Sequence, residues 1–136
     1  MLVLESLIAS RLRELSAFVG WQVREGCHDV SRVMVPAVDV RMAGASVTQV
    51  RKPAASVQPE WAVTFVVRRS NDAAQQLDAA FAAAIGDLHN WRPTDHSGRG
   101  WTELQVARVQ PADFADVALV GYEITFTTVA VFNGQT

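Results

Sequence analysis

Three stretches of the chain gather residues able to do chemistry. Cys27-His28-Asp29 sets a thiol, an imidazole and a carboxylate side by side. Neighbours on an extended chain point to opposite faces, and a catalytic Cys–His pair is assembled from distant segments, so this run reads as a turn carrying a small buried thiol. His89, Asp95 and His96 flank a loop and could converge on a metal. No His pair stands at helical i, i+4 spacing and there is no CxxC, so capping or surface histidines are expected instead. Gly98-Arg99-Gly100 lacks the Lys-Ser/Thr pair of a phosphate loop and follows a helical pattern, which makes it a mobile loop with one Arg. Asp113 and Asp116 could share a turn, where carboxylates initiate turns more readily than they hold ions. No catalytic, metal or cofactor site emerges, and an enzymatic role is not expected.

The remaining candidates are interface types. Trp21, Trp61, Trp91 and Trp101 are many for 136 residues, and all of the 12 basic residues except Lys52 are Arg. Trp and Arg dominate protein–protein hot spots and also stack on single-stranded nucleic acid. A formal net charge of -2 argues against nucleic-acid binding as the main role. With 49% hydrophobic and 19% charged residues the composition is that of a folded domain. No apolar run reaches the roughly 20 residues that span a bilayer, and no secretory signal is expected at the N-terminus. The single cysteine fits a reducing compartment.

The elements that position these residues follow from periodicity. Leu4, Leu7, Ile8, Leu12, Leu15, Phe18 and Val19 recur at helical steps, with Glu5 off the stripe and Gly20 as the stop. Residues 21–25 alternate as a short strand, Val38 to Met42 as another, and Ala43-Gly44 reads as a turn before a strand at 46–50. Arg51 to Pro59, with Pro53 and Pro59, reads as a projecting loop that cannot lie inside a sheet. Trp61, Val63, Phe65 and Val67 form the clearest strand stripe. Ser70-Asn71-Asp72 offers N-cap chemistry for a helix whose stripe holds Ala73, Ala74, Leu77, Ala80, Phe81, Ala84, Ile85 and Leu88. Strands at 101–109 and 119–131 close the chain. The order α-β-β-β-α-β-β, with room for one extra short strand, predicts a single α+β domain over 1–136, two helices packed on one mainly antiparallel (mixed) sheet.

This arrangement resembles the tail terminator proteins of long-tailed bacteriophages, the lambda-like and Mu-like minor tail proteins. The resemblance is carried by the amphipathic helix Leu4 to Phe18, by Val35-Pro36-Ala37-Val38-Asp39-Val40, by the strand Trp61 to Arg69 running into the helix Ala73 to Leu88, by Leu88-His89-Asn90-Trp91-Arg92-Pro93, and by Tyr122-Glu123-Ile124-Thr125-Phe126. It covers about Leu4 to Thr128. It implies structural work without catalysis or cofactor: a homo-oligomeric ring, a hexamer, that caps the head-proximal end of the tail tube, fixes tail length and offers a docking surface to the head–tail connector. DNA would pass through the lumen without specific binding, and no membrane is involved. The expected location is the virion tail, and the host cytoplasm during assembly. Another tail or neck component, such as a tube or head–tail joining protein, shares the architecture, and a small ligand-binding α+β domain is the rival from another class. Arg51, Lys52, Gln58, Arg92 and Arg99 are the candidate subunit or partner contacts.

Overall fold

The computed structural model describes residues 1–29, 34–51, 53–95 and 97–135, with side chains throughout except at 48–51. Helix α1 spans Val3–Arg13 and buries Leu4, Ile8 and Leu12, one per turn. It stops earlier than its apolar pattern: Leu15 is extended, and Phe18 is carried instead by a single 3₁₀ turn, Ser16–Phe18. That turn lays the Phe18 ring parallel to Phe65, with centroids 5.9 Å apart. Gly20 follows at φ +84°, a conformation that reverses the chain towards the sheet.

The sheet has six strands: β1 (Gln22–Glu25), β2 (Ala37–Arg51), β3 (Ala54–Arg68), β4 (Gln105–Pro111), β5 (Leu119–Thr127) and β6 (Ala130–Asn133). Their lateral order is β1-β2-β3-β5-β4, with β6 paired to the far end of β3. Only β1 and β2 run parallel. Helix α2 (Ala73–Leu88) links β3 to β4. The α+β class, two helices on one mixed sheet, is as expected.

Alternation along the strands divides the sheet into two faces. Val38, Val40, Trp61, Val63, Phe65, Val67, Ile124 and Phe126 lie under the helices and form one buried cluster with Leu4, Ile8, Leu12, Leu77 and Leu88. The two helices are held together by Arg11, whose guanidinium forks onto Asp87 at 2.9 Å through two nitrogens and lies 4.5 Å over the Trp91 ring.

Four sequence expectations are corrected. The segment 54–59 is strand, not loop, and β2 runs straight through Ala43-Gly44 with a bulge where a turn was expected. The sheet-facing stripe of α2 is Ala73, Leu77, Ala80, Ala84 and Leu88, while Phe81 and Ile85 are half-buried at its margin and Ala74 is exposed. Small alanines bring the helix close to the strands, so the large ring is displaced sideways, edge-on to Tyr122 at 5.7 Å. Burial, with Asp78 adding to it, pushes the Tyr122 phenol up to about 12, and its O–H donates to the Leu77 carbonyl. The Ser70 hydroxyl accepts the Asp72 N–H at 3.2 Å, and no side chain caps α2.

Two glycines test this packing with opposite signs. A Cβ at Gly121 would lie 1.7 Å from the Phe65 carbonyl oxygen, whereas one at Gly86 meets nothing within 4 Å. Gly86→Ala should therefore raise stability by about 0.5–1 kcal/mol, and Gly121→Ala should lower it by about 1–3 kcal/mol or more, in denaturant melts. Leu88→Ala, at a fully buried position, should cost about 2–5 kcal/mol and more than Phe81→Ala; the reverse ranking would place α2 wrongly.

Candidate assembly surface

Beyond the helices the sheet continues as an arm. The last part of β2, from Ala43, pairs with β3 from Ala54 to Glu60, and β6 pairs with Ala54–Val57 on the opposite side of β3. The result is a three-stranded ribbon. The two prolines do not break it. Pro53 sits in the β2–β3 connection, where its carbonyl accepts the Gly134 N–H at 2.7 Å. Pro59 faces Ala45 of β2, and on its other side falls between the end of β5, opposite Glu60, and the start of β6, opposite Val57. A residue without an N–H fits where one neighbour has ended and the next has not begun.

The ribbon has two unlike faces. On the helix side lie Ala45, Val47, Ala55, Val57 and Phe132, with Val47 59% exposed. On the other side lie the uncharged Ser46, Ser56, Gln58, Val131 and Asn133, with Glu60 at the base of the ribbon. Among the described residues no strand pairs with the outer edge of β2 beyond Val40. At Met42 that edge is closed by the Glu5 carboxylate, which accepts the Met42 N–H at 2.9 Å and the Cys27 N–H at 3.2 Å.

The sequence-derived contact residues are spread over this region and do not converge. Gln58 lies half-buried on β3 opposite Ser46. Arg51 ends β2 opposite Ala54, and Lys52 lies outside the described residues. Arg99 stands beside β6, with its guanidinium 3.8 Å over the Phe132 ring and its Nε 3.5 Å from the Val131 carbonyl. Arg92 lies apart, at the exit of α2, paired with Glu103 at 2.6 Å. Phe132, Glu5 and the buried Arg24 were not singled out from sequence. For Phe132, the alternation of Ala130 and Phe132 was the available signal.

The polar groups elsewhere are engaged in holding the fold. A cleft of about 620 Å³ on the open face is lined by Asp39, Arg41, Thr64, Gln110 and Glu123 among others. Its Glu123 already accepts from Arg41 at 3.3 Å, Thr64 at 3.3 Å and Gln110 at 3.5 Å, and Asp39 takes the fork of Arg24 at 2.7 and 2.8 Å. The Cys27 thiol is exposed rather than buried. Its hydrogen bond to Glu5, then burial and the Glu5 and Glu25 charges, push its pKa up, away from the thiolate a nucleophile needs. His89 accepts the Val106 N–H at 3.2 Å, and Asp95 accepts the Trp101 indole N–H at 2.9 Å. His96 lies outside the described residues. Among the described residues no group of His, Cys, Asp or Glu could hold a metal, and no helix is long and apolar enough to cross a membrane.

With the ribbon and its edges in view, the comparison with solved structures is direct. A chain of the structure titled "Virion of native gene transfer agent (GTA) particle" superposes with a TM-score of 0.69, covering 95% of this chain and 95% of that one at 15% identity. The fold is that of a virion chain. No family model matches the sequence, and no curated protein does.

The base of the arm carries a pH signature. Burial would raise the Glu25 carboxyl, but the Ser6 hydroxyl and the Arg13 guanidinium, 2.8 Å away, outweigh it and hold it below its usual range. A depressed carboxyl stabilises the fold above its unfolded pKa and loses that contribution as pH falls through the folded value. Stability should therefore decline on acidification below about pH 4.5, and Glu25→Gln should flatten that decline in thermal melts taken across the pH range.

Proposed function

We propose that this chain is a structural component of a phage-like virion, and within it a tail terminator: a hexameric ring that caps the head-proximal end of the tail tube, fixes tail length and presents the surface on which the head–tail connector docks. The observation that carries the reading is the end-to-end likeness to a virion chain, covering 95% of both. The sequence resemblance to tail terminators supports the finer assignment. The ribbon supports assembly, because an exposed strand edge is a template for pairing with another chain. The uncharged Ser46, Ser56, Gln58 and Asn133 on its open face suit a lumen through which DNA slides without being held. The role is structural, with no cofactor, and its place is the virion tail after assembly in the host cytoplasm. In this reading 1–136 is one terminator-like domain, and Arg51, Lys52, Gln58 and Arg99 serve contacts with the neighbouring subunit or the tube. Arg92, away from the arm, would meet a different partner.

A reconstruction of the assembled tail tests this. Six copies in one ring on the tube axis, at the head-proximal end, are expected. A single copy, or a position off the axis, overturns the ring. Rings stacked along the whole tube would reassign the chain as a tube subunit. Tails assembled without the protein should lose their uniform length.

A further inference from the structure

We propose that the ring closes by edge-to-edge docking of the arm of one copy on the β6 side of the next copy's arm, with Val47 of the first seated beside Phe132 and Arg99 of the second. The inference rests on the ring reading and specifies the occupant of the arm's open edges as a second copy of this chain.

The two outer edges of the ribbon differ from the free edge of β4. Strand β4 is guarded in the usual ways, by a bulge between Val106 and Arg108, by Arg108 itself and by Pro111 at its end. Along the outer edge of β2, residues 43–50 contain no charge and no proline, and neither do residues 130–135 along β6. These unguarded edges lie on opposite sides of the same ribbon, so pairing them is a head-to-tail contact between unlike surfaces, the type that closes into a ring when the rotation allows. The strand residues 43–50 and 130–135 that meet are uncharged, and the cation beside β6, Arg99, keeps the Phe132 ring as its partner.

The side chains fit the same arrangement. Val47 faces the same side as Val57, and Val57 the same side as Ala130 and Phe132. A β2 edge laid along β6 with these faces aligned therefore puts an exposed Val47 on the same side as Phe132. Along the same β6 edge the second copy has a groove of about 300 Å³ lined by Ser97, Gly98, Arg99, Gly100, Val131 and Asn133, the last two on the face opposite Phe132. The Val131 carbonyl accepts the Arg99 Nε–H at 3.5 Å, a long bond that a backbone N–H of an incoming strand improves on. Arg99 stacked on Phe132 is the aromatic–guanidinium pairing that anchors interfaces.

The test uses the full chain with Cys27→Ser, so that the only thiols are introduced ones. Ser46 and Val131 are both exposed on the open face of the ribbon, one on each edge. The Ser46→Cys, Val131→Cys double variant should give, on mild oxidation, a ladder of covalent oligomers ending at the ring, and neither single variant should give that ladder. Rings in negative stain without a ladder overturn this docking and leave the ring standing; neither rings nor ladder overturns both. Val47→Asp supplies a second reading. It should melt with the parent protein, because Val47 is exposed, yet weaken self-association by about tenfold or more. Unchanged association would remove Val47 from the contact.

Discussion

The geometry of the molecule turns on where β1 stops. The sheet must lose its first strand at a defined residue for β2 to continue alone as the arm, and Glu5 sets that residue. It is 3% exposed, a carboxylate in a place that tolerates one only if it is hydrogen-bonded. Its two oxygens accept the backbone N–H groups of Cys27 and Met42, one just past the end of β1 and one on the β2 edge that β1 has vacated. The side chain thus stands in for the strand that ended. Because Glu5 belongs to the first turns of α1, the same bonds fix the height of the helix on the sheet. Ser6 and Arg13 reach Glu25 from the same helix and tie down the last residue of β1.

The two faces of the sheet solve different problems. Beneath the helices the side chains are apolar and bind by burial. The open face is stabilised by ion pairs laid flat on the strands, with Arg24 only 4% exposed and forked onto Asp39 across the parallel β1–β2 pair. A planar guanidinium suits this use because both its hydrogen bonds and its flat stem cover the strand beneath. That layer helps account for buried Ala37, Ala62 and Val66 on a face that no helix covers. The Thr125 hydroxyl within this region and the Trp61 indole N–H under the helices have no hydrogen-bond partner among protein atoms.

Much of this fold was legible in the sequence, and the misses have physical causes. Helical spacing located both helices, because each has one face in water and one in the core, and the alternation of Trp61, Val63, Phe65 and Val67 with Ala62, Thr64 and Val66 located the central strand, which is buried on both faces. The arm was misread because proline was judged by its own chemistry; whether a missing N–H matters depends on the neighbouring strand, and at Pro59 that neighbour is interrupted. The α2 stripe was drawn too wide because Phe81 and Ile85 were taken inward together with Ala80 and Ala84, whereas the close approach of the helix reserves that face for the alanines. Glu5 was set aside as a surface charge, since its two backbone partners lie 22 and 37 residues further along the chain. Ala130 and Val131 were read as the tail of the preceding strand, and the transfer of Ala130–Asn133 along β3 onto the arm has no local signal.

The junction between body and arm has a mechanical consequence. The residues around Pro59 lack a ladder partner on one side, and on the other side β2 is bulged between Met42 and Gly44 and again between Val47 and Gln49. Irregularities of this kind bend and twist a strand locally. Placed side by side across a ribbon, they form a compliant joint in an otherwise stiff sheet. A load applied to the arm is taken up there as a change of pitch, before it reaches the helix layer and the ion pairs of the open face. The arm can then change its angle slightly while the body stays as it is.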